Sequence, residues 1–327
     1  MFQLNENSAK NFLEKNNISN CEIKKVAGDA SFRSYYRIFS DNKTYILMFA
    51  PPSHEDIAPF IKIDKFLFEN NFSAPKIFAI DEVEGFILLE DFGDDTYGNV
   101  LRKIQNESEL KNLELDLYKK ACDVLIELHK IDYPKDVQVY NNALLFREVM
   151  LFIDWYIPLQ KKVITPSEVA HFKHLWFNLF DLLSKENQVL VLRDYHADNL
   201  MILENRVGYK KVGLLDFQDA TIGSKAYDLV SLLEDARRDL DEDNRQILFN
   251  YYLEKSSRDK SSLITDYEIL SLQRNIKIVG IFARLAVRDK KNHYLSLMPR
   301  VLNFIEFRLS SQNPVFSDIA NLLKKFI

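Results

Sequence analysis

The chain contains little glycine, cysteine or proline. Its 327 residues include 8 Gly, 2 Cys and 9 Pro. Cys21 and Cys122 lie far apart and have neither metal-site nor redox-motif spacing, so we expect free thiols in a reducing compartment. Several of the few glycines fall in the motifs described below. We interpret them as positions where a Cβ atom would not be tolerated.

Three further features are missing from the sequence. The first residues contain no basic segment followed by an apolar stretch, so no signal peptide is predicted. No run approaches the roughly 18 apolar residues of a membrane helix. The formal net charge of −5 argues against a nucleic-acid surface. With 47% hydrophobic and 28% charged residues the composition is globular. We therefore expect a cytoplasmic monomer that binds neither membranes nor nucleic acid.

The most informative part of the chain is a stretch in which polar residues adjoin short apolar runs. Three runs are predicted as buried strands: residues 189–192, 200–203 and 212–215. Asp194 follows the first run, Asn199 precedes the second, and Asp216 follows the third. Loops at strand ends can direct such side chains toward one point.

This set of side chains fits phosphoryl transfer. One carboxylate must orient and deprotonate a hydroxyl, while an amide and a second carboxylate hold Mg²⁺ on the nucleotide phosphates. The protein-kinase signature places Asn five residues after the catalytic Asp, and a metal-binding Asp further on. We therefore predict Asp194 as the catalytic base, Asn199 and Asp216 as Mg²⁺ ligands, and ATP as the donor. Each residue alone could simply cap a turn; the ordered set favours kinase chemistry.

The same stretch carries a family resemblance. Residues 193–201 (Arg-Asp-Tyr-His-Ala-Asp-Asn-Leu-Met) and 215–220 (Leu-Asp-Phe-Gln-Asp-Ala) resemble the aminoglycoside-phosphotransferase branch of kinase-like folds. Within it, the chain is most similar to bacterial kinases of the anomeric hydroxyl of N-acetylmuramate and N-acetylglucosamine. The resemblance extends to further segments: 28–33, 48–52, 88–93, 147–148, 155–156, 227–228 and 274–300. It implies an ATP- and Mg²⁺-dependent kinase of a small amino sugar, acting in cell-wall (peptidoglycan) recycling.

The fold expected from the resemblance is α+β and bilobal, like that of protein kinases. Residues 1–90 would form a nucleotide-binding lobe with a small antiparallel sheet, and residues 91–327 a mostly helical lobe with the catalytic loop and substrate site. Nucleotide-binding residues are predicted in the first lobe and in the linker after it: Ser31, Phe32, Arg33, Glu90 and Phe92. For the loop at Gly28, an ordinary hairpin turn is an equally good interpretation.

Substrate recognition is predicted on two helices of the second lobe. Arg147, Glu148 and Trp155 lie on a helix predicted over residues 144–160 that stops at Pro158. Arg284 lies on a long helix predicted over residues 269–287. Its basic residues recur at helical spacing and form a positive face that could bind the carboxylate of a lactyl-bearing sugar: Arg274, Lys277, Arg284 and Arg288. Both features could also belong to an ordinary solvated helix surface. Asp228 could cap the helix predicted around it or support the catalytic loop by accepting hydrogen bonds from its backbone, and a supporting role is favoured over a chemical one.

One departure from the kinase pattern leaves alternatives open. Met48 occupies the strand position where protein kinases carry a phosphate-binding Lys. Phosphate charge would then be met by Arg33 or Arg37. The alternatives are a kinase of choline-like alcohols or aminoglycosides, or a non-catalytic pseudokinase. The charge of the predicted positive helix face argues against cationic substrates, and the Asp194, Asn199 and Asp216 set argues against a pseudokinase.

Overall fold

The structure is a computed structural model, and it describes six stretches of the chain: residues 4–28, 32–41, 43–186, 188–256, 259–311 and 313–327. The chain divides into two compact units. The first combines Met1–Val100 with Asp198–Asp219, and the second combines Leu101–Ala197 with Ala220–Ile327. Among the described helices, none is long and apolar enough to cross a membrane.

The first unit is built on an antiparallel sheet of five strands, in the order β1-β2-β3-β5-β4. Its strands are β1 (Glu22–Gly28), β2 (Ser34–Ser40), β3 (Lys43–Phe49), β4 (Ile77–Asp81) and β5 (Phe86–Glu90). Its helices are α1 (Glu6–Lys15), α2 (Ala58–Glu69) and α3 (Tyr97–Lys103), the last of which runs past the end of this unit.

Alternation along the strands gives this sheet two buried faces. Phe12 of α1 packs in a cluster with Leu47 of β3 and Leu88 of β5. Ile46 and Met48 are one residue out of phase with Leu47, and therefore point to the opposite face. Met48 is fully buried there, opposite Tyr35 of β2.

A short hairpin of β7 (Leu200–Ile202) and β8 (Val212–Leu214) belongs to the same unit. The backbone N–H of Leu214 donates to the Ser73 carbonyl at 2.8 Å, and that of Ile202 donates to the Asp95 carbonyl at 2.9 Å. The hairpin and residues 91–100 thus group with the sheet. This grouping differs from the predicted division at residue 90, which stays a prediction about functional lobes.

The described residues of the second unit form helices and one strand pair, joined by loops. β6 (Gln188–Val191) pairs antiparallel with β9 (Thr221–Ser224). The remaining helices are α4 (Glu107–Leu128), α5 (Asn142–Leu151), α6 (Ile157–Leu159), α7 (Pro166–Asp181), α8 (Ala226–Leu233), α9 (Glu242–Ser256), α10 (Lys260–Val287), α11 (Met298–Ser310) and α12 (Ser317–Leu323). The predicted α+β class, with a small antiparallel sheet and a helix-rich remainder, is confirmed.

The helix predicted over residues 144–160 is present and continuous, but it is not a uniform α-helix. α5 ends at Leu151, a π-helical turn spans Phe152–Tyr156, and the short α6 follows. The helix does not stop at Pro158 as predicted, because α6 continues to Leu159 and its C-cap is Gln160. A Cβ added to Gly280 would lie 2.5 Å from the Leu151 carbonyl carbon, so glycine permits the close approach of α10 to α5.

Candidate active site

Asp216 lies immediately beyond the hairpin, in a backbone conformation that is unusual for a residue with a Cβ. Its φ is 57°, and such left-handed residues cluster at functional sites. The Gln218 side-chain amide donates to Asp216 at 2.8 Å, and the Arg33 guanidinium lies 3.9 Å from the same carboxylate oxygen. The carbonyl of Asn199 accepts a hydrogen bond from the Leu215 N–H at 3.1 Å. This bond ties the two ends of the hairpin together.

A cavity of about 330 Å³ opens beside these residues within the first unit. Its walls are mainly apolar, and they include Val26, Ile46, Leu89, Met201 and Phe217. Phe217 also stacks on Phe60 of α2, with ring centroids 5.2 Å apart. Asn199 and Asp216 add polar groups to the lining. An apolar cleft with a few polar groups suits a flat ring that carries a charged tail.

The segment after β5 forms another part of the cavity wall and is held by Arg206 from the hairpin turn. The Arg206 guanidinium lies 2.7 Å from a Glu90 carboxylate oxygen and sits over the Phe92 ring, 5.1 Å from its centroid. The other Glu90 oxygen accepts the Lys76 N–H at 3.1 Å. Glu90 and Phe92, both predicted to bind nucleotide, therefore line the cavity in a fixed arrangement.

Arg37 fixes the next part of this segment. Its guanidinium pairs with Asp91 at 2.7 Å and Asp94 at 2.9 Å, and donates to the Gly93 carbonyl at 3.1 Å. The hydrogen bond to Asp94 is the largest of the effects that raise the pKa of Arg37. With two carboxylates compensating its charge, Arg37 is a poorer candidate for a phosphate ligand than Arg33, which lies beside Asp216.

The loop that carries Asp194 lies in the second unit and is held at its backbone. One Asp228 carboxylate oxygen accepts the Leu192 N–H at 2.6 Å, and the other accepts the Arg193 N–H at 2.8 Å. The Ser231 hydroxyl donates to the Arg193 carbonyl at 3.2 Å. The predicted supporting role of Asp228 is confirmed. Burial is the main cause that raises the pKa of Asp228, to about 7.

Glu148 is buried at the centre of a polar cluster. One carboxylate oxygen lies 2.6 Å from the Arg193 guanidinium and 2.9 Å from the Lys277 ammonium. The other accepts the Tyr140 hydroxyl, and the Gln273 amide at 3.1 Å. Burial acts to raise the pKa of Glu148, but the two cations and the Tyr140 bond outweigh it and leave that pKa lowered. Glu148 therefore holds Arg193, a role that the sequence did not indicate.

The other residues predicted to bind the substrate do not take part in the polar cluster around Glu148. Arg147 is exposed, while Trp155 and Arg284 are half-buried. Among the described residues, no hydrogen bond or ion pair links these three side chains to one another. They remain predictions.

The positive face predicted on the long basic helix, which is α10, is wrong for its first two members. Arg274 is buried, donating to the Ser231 hydroxyl at 2.8 Å and to the Glu234 carbonyl at 3.3 Å. Lys277 pairs with Glu148. In the charge-rich segment after α8, Arg238 pairs with buried Glu114 at 2.7 Å.

Three residues just before β2 were predicted to bind nucleotide: Ser31, Phe32 and Arg33. Ser31 falls outside the described residues. Phe32 is exposed, and its backbone N–H donates to the Glu55 carboxylate at 3.2 Å. Arg33 is largely buried at its side chain and reaches Asp216 as described above. Of this trio, Arg33 is the one that the structure brings to the candidate metal-binding carboxylate.

The donor set fits a magnesium ion. Among the described residues, no group of three or more His, Cys, Asp or Glu could hold a metal. Mg²⁺ does not require such a group, because it keeps several waters and uses one or two carboxylates together with substrate phosphates. Asp216 would supply the charge and Asn199 an amide oxygen. Both line the same cavity.

Comparisons with known proteins agree with this chemistry. An N-acetylmuramate/N-acetylglucosamine kinase of Pseudomonas aeruginosa is 33% identical over 310 residues, covering 92% of this chain and 88% of the relative. A kinase of the same name from Caulobacter vibrioides is 30% identical over 332 residues, covering 90% of each.

Solved structures share the fold. The ADP-bound aminoglycoside phosphotransferase APH(2'')-Ib gives a TM-score of 0.62 at 16% identity, covering 96% of this chain and 99% of its own. A putative aminoglycoside phosphotransferase of Ralstonia eutropha gives 0.67 at 14% identity, covering 99% of both. The profile of the phosphotransferase enzyme family, APH, matches residues 22–263. The chain therefore belongs to the APH phosphotransferase enzyme family, as its central motifs predicted.

Proposed function

We propose that this protein transfers the γ-phosphoryl group of ATP to the anomeric hydroxyl of N-acetylmuramate and N-acetylglucosamine. The observation that carries the proposal is the pairing of Asn199 and Asp216 on the wall of a mainly apolar cavity. Asp194, five residues before Asn199, completes the kinase spacing. Relatives that share about a third of the sequence over about nine tenths of the chain, and that are named kinases of these two sugars, support the choice of acceptor.

Each residue has one role in the proposed reaction. Asp194 accepts a hydrogen bond from the anomeric hydroxyl, orients it, and takes its proton as the oxygen attacks the γ-phosphorus. The bond between that phosphorus and the β–γ bridging oxygen breaks, which releases ADP. Asn199 and Asp216 would hold Mg²⁺, and the bound ion would neutralise charge on the phosphates. Arg33, beside Asp216, supplies the positive charge that Met48 does not provide.

The nucleotide would bind with its adenine ring in the apolar cavity. The walls formed by Ile46, Leu89 and Phe217 suit the adenine ring, and the segment at Glu90 and Phe92 supplies the adjacent backbone. Arg206 and Arg37 hold that segment, so the cleft is largely preformed. Preorganisation lowers the entropic cost of binding.

Phosphorus NMR tests the reaction. Each sugar is incubated with ATP and Mg²⁺, and the expected product is a phosphate coupled to the anomeric proton. A methyl glycoside of the same sugar should not react, because no nucleophilic hydroxyl remains at that carbon. Asp194→Asn should reduce kcat by about 10²- to 10⁴-fold, the usual contribution of a general base.

Several results would overturn the proposal. A 6-phosphate product, or turnover only with choline or an aminoglycoside, would leave only the family assignment. Nucleotide binding without transfer to any acceptor would favour the pseudokinase alternative. An Asp194→Asn enzyme with unchanged kcat would remove Asp194 from the mechanism.

A further inference from the structure

In the part of the chain that the structure describes, the arginines near the segment after α8 pair with an acidic side chain or donate to several acceptors, with one exception. Arg238 pairs with Glu114 at 2.7 Å. Arg300 binds both carboxylate oxygens of Asp239, one of them at 2.7 Å. Arg237 is the exception. Among the described residues, the one side chain bonded to the Arg237 guanidinium is an imidazole.

That imidazole belongs to His196, on the same loop as Asp194. The Arg237 guanidinium donates to His196 Nε2 at 3.1 Å. The backbone N–H of His196 donates to the backbone carbonyl of Asp194 at 3.2 Å. A guanidinium can only donate hydrogen bonds, so Nε2 must accept and the ring is neutral. Burial, followed by the charges of Arg237 and Arg274, lowers the pKa of His196 well below its usual value. The neutral imidazole therefore brings no negative charge to compensate that of Arg237.

The position of Arg237 is fixed, although the residue is exposed. Its backbone N–H donates to the buried Asp235 carboxylate at 2.8 Å, and its side chain is held by His196, which is only 3% exposed. A planar guanidinium offers several donors in a fixed fork, and one bond to His196 leaves others directed to solvent. An exposed, uncompensated and positioned arginine beside the catalytic loop is suited to bind a carboxylate of the substrate.

We propose that Arg237 is a specificity-determining residue that binds the lactyl carboxylate of N-acetylmuramate. This inference rests on the proposed function. N-acetylglucosamine has no carboxylate and would not use this contact, so the two sugars provide an internal comparison. The contact would favour the acidic sugar through a charge-assisted hydrogen bond.

The test measures kcat/KM for three acceptors: N-acetylmuramate, its neutral lactyl carboxamide, and N-acetylglucosamine. For Arg237→Gln, kcat/KM for N-acetylmuramate should fall by about 10- to 100-fold, the usual value of one charge-assisted hydrogen bond. Both neutral acceptors should change by less than about twofold. Arg237→Lys keeps the charge and should retain part of the preference for the acid. Arg102→Gln, at an exposed arginine in the last turn of α3, is the matched control and should alter none of the three.

The outcomes separate this inference from the proposed function. If Arg237→Gln lowered kcat/KM equally for all three acceptors, Arg237 would be a support of the loop and the inference would fail. If it changed none of them, the inference would also fail. A wild-type enzyme that phosphorylated only N-acetylglucosamine would overturn the inference and spare the kinase assignment. A wild-type enzyme that phosphorylated neither natural sugar would overturn both.

Discussion

Arg193 occupies a backbone conformation that normally favours glycine. Its φ is 70°, which costs a residue with a Cβ on the order of 1 kcal/mol or more. The side chain gains contacts that a glycine could not make: the ion pair with Glu148 and stacking over the Tyr140 ring at 5.2 Å. The backbone at Arg193 is also bonded on both sides, by Asp228 and Ser231. We infer that these contacts position the neighbouring Asp194.

Arg193→Gly tests this positioning role, because it keeps the backbone conformation and removes the side-chain contacts. We expect kcat to fall by about 10- to 100-fold, since small misplacements of a catalytic group have effects of that size. The free energy of unfolding should change by less than about 2 kcal/mol, because relief of strain offsets part of the lost ion pair. Saturation kinetics and chemical denaturation measure the two quantities.

Lys161→Gly is the matched control for Arg193→Gly. Lys161 also has a positive φ, of 56°, but it is exposed and lies outside the catalytic loop. Its replacement should leave kcat unchanged and the unfolding free energy equal or slightly higher. Wild-type kcat in Arg193→Gly would show that the Glu148 contact does not position Asp194.

At the scale of elements, the β7–β8 hairpin connects two parts of the candidate nucleotide site. Gly213 on β8 packs so closely that an added Cβ would lie 2.9 Å from both Met201 and the Phe92 ring. The Ser73 hydroxyl donates to the Lys210 carbonyl in the hairpin turn at 2.6 Å. Asp216 follows directly from this anchored element. A metal ligand on a rigid hairpin keeps its geometry better than one on an unsupported loop.

Asp216→Ala is expected to weaken binding of Mg²⁺·ATP at least tenfold, and more severely than Asn199→Ala. The reason is that a carboxylate contributes charge to the metal, whereas an amide contributes only a dipole. Calorimetric titration with and without Mg²⁺ measures this difference. ATP binding without the metal should change little. Asp219→Ala, at an exposed carboxylate on the same loop, is the control. Equal Mg²⁺·ATP affinities for wild type and Asp216→Ala would exclude Asp216 as a ligand.

Elements with a regular pattern could be predicted from the sequence, and those that depend on distant partners could not. The apolar runs before Asp194 and Asp216 predicted β6 and β8, because buried strands need continuous apolar residues. β9, with the sequence Thr-Ile-Gly-Ser, has no such pattern and exists through its pairing with β6. The π-helical turn at Phe152–Tyr156 also left no clear sequence signal.

Candidate site residues follow the same division. The spacing of Asp194, Asn199 and Asp216 matches the kinase signature, so these candidates could be named from the sequence. Contacts that depend on tertiary packing, such as those of Glu148 and Arg237, were not. Their partners lie 45 and 41 residues away along the chain. A pattern over a few neighbouring residues does not reveal contacts between residues so far apart in the sequence.

At the scale of the whole molecule, buried ionisable groups make stability depend on pH in opposing ways. His129 is half-buried, and its Nδ1 lies 2.7 Å from the Tyr252 hydroxyl. Burial is the main cause that lowers its pKa to about 3. Asp228 behaves in the opposite way, because burial raises its pKa to about 7. Between pH 4 and 7, protonation of Asp228 raises the free energy of unfolding as pH falls, whereas His129 lowers it. The measured pH dependence of stability therefore contains both contributions.

Comparing wild type with His129→Gln isolates the histidine contribution. Below pH 6.5 the unfolded chain protonates His129 and the folded chain does not, so stability is lost as pH falls from 6.5 toward 3. Between pH 7.5 and 5 this loss should amount to about 2 kcal/mol in wild type and be absent from the variant, whose glutamine can still bond Tyr252. Urea denaturation at each pH measures both curves. His174→Gln, at an exposed histidine, should retain the wild-type slope, and parallel curves for wild type and His129→Gln would contradict the prediction.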